Sequence, residues 1–342
     1  MGRPKGDGTL DTRPITLSDV ARRAGVSEIT VSRVLREVGP LAEATRARVR
    51  AAVEEMGYVP NRLAGTLASA VSGLVGVSVP SLSNIVFPEV LRGIHAGLEA
   101  SGRQAVIGIT DYDLTTEEKL VGSLLAWKPA AMIVVGSDHT AVTSRRLRQS
   151  GIRVAELMDS DAAPIDLAVG MSHRGAGHAS GTHLLARGYR RFGYVGHDWT
   201  ADRRARVRYE GLRAALGEAG LDLAAEQFSP GGSSTEAGRV ALAQLLAARP
   251  DVDVVVFSND DMAVGGVFHC MAAGLRPKAD IGLFGFNGLD IGQALPQPLS
   301  TVRSNRYLIG RLAAEKILTQ RERPEGGEVI DTGFEICEGA TA

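Results

Sequence analysis

The sequence has few of the features that mark secreted, membrane-bound or disulfide-stabilised proteins. Its 342 residues include only two cysteines, Cys270 and Cys337. Two cysteines are more typical of reduced structural thiols in the cytoplasm than of a disulfide framework. The sequence has no early apolar signal segment and no apolar run long enough to span a bilayer. We therefore expect a cytoplasmic protein that has no membrane partner.

The motifs of common α/β enzymes are also missing. The sequence contains no P-loop, no Gly-x-Ser-x-Gly elbow and no His/Cys set at metal-ligand spacing. A glycine-rich dinucleotide fingerprint is absent after the first strand that the sequence predicts. The seven histidines are scattered along the chain. These absences favour a non-enzyme that uses neither metal nor cofactor, and they weaken the alternative of a catabolic enzyme on an α/β scaffold.

Neither sign of charge dominates, with 38 Lys and Arg against 39 Asp and Glu. This balance argues against bulk non-specific binding to nucleic acid. The charge is uneven, however, because residues 1–68 carry 11 basic and 8 acidic residues, whereas the rest carry 27 and 31. A mildly basic N-terminal part on an acidic body suits a dimeric DNA reader that depends on specific contacts.

A helix-turn-helix pattern lies between Ile15 and Leu35. Thr16 can cap a first helix, Gly25 permits a tight left-handed turn, and Ser27 can cap a second helix. The outward-facing residues of the second helix suit base edges and phosphates, and they are Glu28, Ile29, Thr30, Ser32 and Arg33. Taken alone, the pattern also fits a small core helical pair with solvated polar faces.

A third amphipathic helix is predicted from about Glu43 to Met56, where it closes a small three-helix core. The segment after Pro60 is helix-capable but too short to be stable alone in water. It therefore either docks on a partner surface or becomes ordered when it binds.

Two motifs together identify a family. Residues 16–35 read Thr-Leu-x-Asp-Val-Ala-x-x-Ala-Gly-Val-Ser-x-x-Thr-Val-Ser-Arg-Val-Leu, and residues 57–67 read Gly-Tyr-x-Pro-Asn-Arg-x-Ala-x-x-Leu. This combination resembles the lactose-repressor family of bacterial transcription regulators. The resemblance implies a hinge helix that folds on the DNA operator and inserts a leucine, here Leu67, into the minor groove.

The resemblance also implies DNA-binding roles for individual residues. Residues at family phosphate-contact positions are Thr16, Ser27, Thr30, Ser32 and Thr45, and residues at base-reading positions are Glu28, Ile29 and Arg33. Asn61 and Arg62 belong to the second motif and are assigned to DNA binding with it. Arg36 stands where the family usually has Asn, and Ala42 stands where a helix-capping Ser is common. Glu28 and Ile29 are an unusual pair at the base-reading positions. The operator sequence is therefore not predicted.

From Leu74 onward, short apolar runs alternate with longer amphipathic ones, which predicts parallel strands covered by helices. The predicted fold is a helix-turn-helix headpiece followed by an α/β core of two doubly wound lobes, with a ligand at the carboxyl ends of the strands. The family shares the fold of periplasmic sugar-binding proteins. We expect a disordered arm at 1–14, the headpiece at 15–60, the hinge at 61–73 and the core at 74–342. The family's crossovers imply an N-lobe of about 74–171 and 304–330 and a C-lobe of about 172–303 and 331–342.

Several predicted strand ends carry polar or aromatic residues that would face the cleft between the lobes. By strand-end position or family resemblance, the effector-binding candidates are Ser81, Ser83, Phe87, Asp159, Arg208, Asn259 and Asn287. An arginine fork favours a carboxylate. The alternatives are turn and cap duty for the serines, core packing for Phe87, and a solvated charge or inter-lobe ion pair for Arg208.

Within the family, the sequence is most similar to the gluconate-utilisation repressor branch. This likeness rests on residues 80–94, 154–160, 259–265 and 285–293. Asn287 stands where most relatives carry Asp, which favours an anionic effector over a neutral sugar. Ser172 and His173 replace an expected Asp-Asn pair, so the pose of the ligand is not predicted.

The sequence therefore predicts a homodimeric operator-binding repressor that a sugar acid such as gluconate releases from DNA. The alternative is that the effector is a corepressor, which strengthens DNA binding as in the purine-type branch. A sugar-binding protein for uptake is a third class, which the attached helix-turn-helix and the missing signal segment disfavour.

Overall fold

The computed structural model describes residues 13–60, 72–199, 202–319 and 323–342, in two compact units, Met1–Ala70 and Val71–Ala342. Most of the predicted arm (1–14) and of the predicted hinge (61–73) lies outside the described residues, as do Asn61, Arg62 and Leu67. Within the described ranges, no helix combines the length and the apolar character needed to cross a membrane.

The first unit is a three-helix headpiece with a small apolar core. Its helices are α1 (Leu17–Ala24), α2 (Glu28–Leu35) and α3 (Glu43–Met56). Val20, Val31 and Val49, one from each helix, are fully buried at its centre. Gly25 ends α1 in the left-handed conformation with φ 67°, which a residue without a side chain adopts at little cost. The turn that the sequence predicts is therefore present.

The N-lobe of the second unit is a parallel sheet covered by helices on both faces. Its strands form one sheet in the order β11-β5-β4-β3-β1-β2, where elements are numbered along the chain. They are β1 (Leu74–Val79), β2 (Gln104–Ile109), β3 (Ala131–Val135), β4 (Arg153–Leu157), β5 (Leu167–Gly170) and β11 (Glu328–Asp331). The helices are α4 (Val86–Glu99), α5 (Leu114–Ala126), α6 (Ala141–Gln149) and α12 (Arg306–Thr319). One apolar cluster joins α4 and α12 to the sheet, and a second joins α5 and α6.

The C-lobe repeats this plan around a parallel four-stranded sheet in the order β7-β6-β8-β9. These strands are β6 (Phe192–His197), β7 (Ala225–Ser229), β8 (Val254–Phe257) and β9 (Gly282–Phe284), and β10 (Thr301–Ser304) pairs antiparallel with β12 (Phe334–Cys337). The helices are α7 (His173–Ala186), α8 (Arg203–Glu218), α9 (Thr235–Ala248), α10 (Asp260–Ala273) and the short α11 (Asp290–Gln293). The predicted fold class is thus confirmed.

The chain passes between the two lobes three times. It crosses after β5 into α7, after β10 into α12, and after β11 into β12. Each lobe is therefore built from segments that are discontinuous in sequence. Each lobe has its own apolar clusters, and Leu289 of the C-lobe packs into one cluster of the N-lobe. The carboxyl ends of the two parallel sheets border one cleft.

Helix pairs in both lobes approach each other so closely that only glycine fits at the contact. A Cβ atom added to Gly177 in α7 would overlap the carbonyl oxygen of Arg208 in α8, and one added to Gly211 would overlap that of Arg174. Gly93 in α4 and Gly310 in α12 meet the facing backbone in the same way. Because protein interiors resist added volume, these glycines fix the spacing of the helices.

We expect Gly177→Ala to lower the free energy of unfolding by about 1–3 kcal/mol, because the methyl group must push α7 away from α8. Denaturant unfolding of the full-length protein measures this loss. Gly217→Ala on α8 is the matched control, since nothing lies within 4 Å of the position that its Cβ would take. It should be neutral or stabilising by up to about 1 kcal/mol. Equal unfolding energies for the two variants would contradict the close-packing argument.

Candidate functional site

The outer face of α2 presents the residues that the sequence assigns to DNA reading. Glu28, Ile29 and Arg33 are exposed, and the side chain of Ile29 is 70% accessible to solvent. An exposed Ile and Arg on one helix suit contact with a thymine methyl group and with a guanine edge, respectively. Ser32 and Thr45 are partly exposed in the same unit. The headpiece therefore keeps these side chains available for a duplex.

Two candidate phosphate contacts, Thr16 and Ser27, also act as helix caps. The hydroxyl oxygen of Thr16 accepts a hydrogen bond from the backbone N–H of Asp19, and the Asp19 carboxylate accepts one from the N–H of Thr16. Arg13 and Thr16 hold the pKa of the Asp19 carboxyl well below its usual range. The Ser27 hydroxyl oxygen accepts from the Thr30 N–H at 3.3 Å. Capping fixes these hydroxyl groups at the start of each helix, where anions bind favourably.

The cleft of the second unit holds a cavity of about 650 Å³. Its walls come from both lobes, at the carboxyl ends of the strands and the starts of the following helices. Of the seven predicted effector residues, six line this cavity, and they are Ser81, Ser83, Phe87, Arg208, Asn259 and Asn287. A cavity of this size holds a small metabolite.

The loop between β1 and α4 has both structural and cavity-facing groups. The Ser81 hydroxyl oxygen accepts hydrogen bonds from the N–H groups of Ser83 and Asn84, both at 3.2 Å. Ser81 therefore has the turn role that the sequence left open, while it also borders the cavity. Phe87 is 1% exposed and belongs to the N-lobe core, and its ring lies 6.5 Å from that of Tyr112.

Arg208 projects from α8 into the cavity over an aromatic ring. Its guanidinium carbon lies 4.0 Å from the centre of the Phe286 ring, at cation–π distance. Its Nη2 donates to the carbonyl of Ser258 at 3.0 Å, and its Nη1 lies 3.1 Å from Nδ1 of His173. Among the described residues, no carboxylate forms an ion pair with Arg208. Arg208 therefore does not form the inter-lobe ion pair that was its alternative role from the sequence.

Asn259 and Asn287 border the cavity on the C-lobe side. Asn259 caps α10, where its Oδ1 accepts from the Met262 N–H at 3.1 Å. The following residue, Asp260, is fully buried, and burial raises the pKa of its carboxyl to about 6. Asn287 has φ 122°, a backbone conformation that is strained for any residue with a side chain. Its carbonyl oxygen accepts a hydrogen bond from Arg306 of α12. Asn287 thus lies where the two lobes connect.

Comparison with known proteins agrees with this architecture. Residues 16–61 match the family described as "Bacterial regulatory proteins, lacI family". Residues 72–332 match "Periplasmic binding proteins and sugar binding domain of LacI family". The chain belongs to the LacI family of transcription regulators.

Relatives within the LacI family match over nearly the whole chain. The HTH-type transcriptional regulator GntR of Pseudomonas aeruginosa is 42% identical over 98% of both chains. GntR of Escherichia coli is 36% identical over 96% of this chain and 98% of its own. The crystal structure of a LacI-family regulator from Silicibacter pomeroyi superposes with a TM-score of 0.90 at 44% identity, covering 96% of this chain and 99% of that one.

Asp159 is the predicted effector residue of this LacI-family chain that lies outside the main cavity. It borders a smaller neighbouring cavity of about 70 Å³. Its carboxylate accepts from Nη1 of Arg203 at 2.8 Å and from the Ser137 hydroxyl at 2.9 Å. Because Asp159 belongs to the N-lobe and Arg203 to the C-lobe, this ion pair ties the lobes together.

Several cavity-lining residues were not among the effector-binding candidates drawn from the sequence. They include Tyr112, His173, His197, Arg204 and residues 231–235 at the start of α9 and in the loop before it. Tyr112 lies in the loop that follows β2, three residues after the strand ends, so its position beyond a strand end could have indicated it. The loop follows β7, an edge strand whose residues alternate between partly buried and exposed. The sequence of β7 therefore lacks the continuous apolar run that marks the central strands.

We expect Arg203→Ala to lower the free energy of unfolding by about 1–2 kcal/mol, because the buried Asp159 carboxylate loses its charged donor. Denaturant unfolding measures the change. Arg213→Ala is the control on the same helix, since the Arg213–Asp222 pair is exposed on both sides (48% and 70%). It should cost no more than about 0.5 kcal/mol. Equal losses would show that the Arg203–Asp159 contact adds nothing beyond a surface pair.

Proposed function

We propose that this LacI-family protein represses sugar-acid catabolic genes and leaves its operator when a sugar acid such as gluconate binds the cleft. The observation that carries the proposal is Arg208, a guanidinium in the cavity wall without a carboxylate partner among the described residues. A cationic fork in a partly enclosed cavity favours a carboxylate ligand. The similarity to the GntR regulators supports the same effector class.

The other groups around Arg208 suit the remainder of such a molecule. Ser81, Ser83, Asn259 and Asn287 offer hydroxyl and amide groups to a polyhydroxylated chain. Phe87 and Phe286, both almost fully buried, leave only small apolar edges at the cavity wall for its carbon skeleton. Together these groups form a candidate site for an anionic, hydroxyl-rich ligand.

DNA binding in this proposal uses two copies of the headpiece. Residues of α2 read base edges in each half-site, and Leu67, with Asn61 and Arg62, acts at the central minor groove. Exposed apolar residues on each lobe support a homodimer, since a second copy would cover them. They are Ile107 and Ile109 on the edge strand β2 and Phe268 and Met271 on α10. The protein would act in the cytoplasm and associate with the nucleoid when bound to DNA.

The deciding experiment is fluorescence anisotropy on a near-palindromic duplex from upstream of the protein's own gene, with and without gluconate. Specific binding that gluconate releases is the expected result. Binding that gluconate strengthens would assign a corepressor instead. Binding that ignores gluconate would reject the effector, and failure to bind any genomic duplex at moderate salt would reject the repressor.

We expect Arg33→Ala to weaken binding to the specific duplex by about 1–3 kcal/mol, because it removes a side chain that reads a base edge. Binding to a scrambled duplex, measured in the same salt, should change much less. An equal loss on both duplexes would instead make Arg33 a phosphate contact.

We expect Arg208→Ala to abolish the response to gluconate while operator binding stays intact, because the guanidinium lies in the cleft and not in the headpiece. Arg206→Ala is the matched control, since Arg206 is exposed two residues away on α8 and pairs with Glu210. Titration of gluconate against the operator complex of each variant measures the response. A normal titration for Arg208→Ala would remove Arg208 from the effector site.

A further inference from the structure

His173 is the first residue of α7 and lies at the meeting point of the two lobes. Its Nε2 is 2.6 Å from the carbonyl oxygen of Met158, which follows β4 of the N-lobe. Its Nδ1 is 3.1 Å from Nη1 of Arg208 in the C-lobe. The side chain is 3% exposed, and its ring lies 5.9 Å from that of Phe286. The imidazole therefore fills the space between the N-lobe backbone and the effector-facing guanidinium.

The two hydrogen bonds determine the protonation state of this ring. A carbonyl oxygen can only accept, so Nε2 must carry a hydrogen atom. A guanidinium can only donate, so Nδ1 must offer its lone pair. One state, the neutral Nε2–H tautomer, satisfies both partners. Burial, with the positive charges of Arg208 and Arg204, also drives the pKa of His173 well below its usual value.

A neutral acceptor leaves the positive charge of the Arg208 guanidinium unchanged, whereas an acidic side chain would cancel it. A carboxylate at this place would hold the guanidinium equally well, but it would also cancel its charge. The imidazole and the Ser258 carbonyl together occupy two of the five N–H donors of Arg208. Within the described ranges, the other three donors have no hydrogen-bond acceptor. Arg208 is thus oriented by two neutral acceptors and keeps three N–H donors for a ligand, while the Asp202 carboxylate in the same cavity wall interacts with it electrostatically without a hydrogen bond.

We propose that His173 is a positioning residue that holds Arg208 as a neutral acceptor and so makes the cleft select an anionic ligand over a neutral sugar. This inference rests on the proposed effector site and adds the residue that sets its selectivity. His173 acts through Arg208 and need not touch the ligand. Its bond to Met158 also makes the orientation of Arg208 depend on the arrangement of the lobes.

The binding test compares gluconate with glucose, a neutral probe of the same carbon number, by isothermal titration calorimetry on the full-length protein. His173→Leu removes the acceptor and should weaken gluconate binding about tenfold or more. His173→Gln, whose amide oxygen can accept from Arg208, should retain most of the affinity. His173→Asp should remove most of the preference for gluconate over glucose, because its carboxylate pairs with Arg208.

A double-mutant comparison separates positioning from direct contact or misfolding. In an Arg208→Gln background, His173→Leu should cause no further loss of gluconate affinity, because the group that it positions is already absent. An equal loss in both backgrounds would overturn the inference. Unchanged gluconate affinity of His173→Leu in the wild-type background would overturn it as well.

A second measurement does not depend on the identity of the effector. Nitrogen-15 NMR of histidine-labelled protein reports the tautomer of His173, and His173→Gln assigns the signal by its loss. The neutral Nε2–H form at pH 6–8 is expected, whereas a charged ring or the Nδ1–H form would overturn the inference. If the wild-type protein shows this tautomer but binds no sugar acid, the proposed effector fails and the positioning of Arg208 stands.

Discussion

The close contact between α7 and α8 is the constraint on which the effector cleft depends. Gly177 and Gly211 let the two helices touch backbone to backbone. That contact places His173, at the start of α7, beside Arg208, on the second turn of α8. A wider spacing would separate the imidazole from the guanidinium. The position of a charge in the cavity is therefore set by residues that have no side chain.

The two lobes are joined mainly by polar contacts, and one apolar residue of the C-lobe, Leu289, also packs into the N-lobe cluster. Each lobe has its own buried clusters. The links between them are directional: Arg203 with Asp159, Arg306 with the Asn287 carbonyl, and His173 with the Met158 carbonyl. Hydrogen bonds of this kind can be exchanged for others at low net cost, whereas a continuous core cannot be opened cheaply. This division suits a molecule whose lobes move as units.

The fold could be predicted from the sequence because it follows from local patterns of residue type and spacing. The caps of α1 and α2, the turn at Gly25 and the buried central strands are all visible in residue type and spacing. Six of the effector candidates line the cavity because strand ends converge in a doubly wound sheet. Residue type and spacing do not show in which direction a side chain points. Asp159 ends its strand as predicted, yet it faces Arg203 and a smaller cavity.

The same limit explains why His173 was recognised only as a departure from the family pattern. Its role depends on Met158 and Arg208, which lie 15 and 35 residues away in sequence. Four of the non-glycine residues with positive φ also border the cavity, namely Asp111, Tyr112, Met158 and Asn287. Such conformations are held by the surrounding structure and not by local preference. Sequence pattern alone therefore cannot locate them.

The three crossings of the chain between the lobes have a consequence for how such proteins diversify. A single recombination event upstream of residue 72 can give the effector core a different headpiece, because only one segment joins the two units. No single event can exchange one lobe for another, since each lobe is assembled from separate stretches of the gene. New operator specificity can therefore be acquired as a module. New effector specificity, in contrast, cannot be acquired by exchange of one continuous segment and is open to point substitution within an intact core.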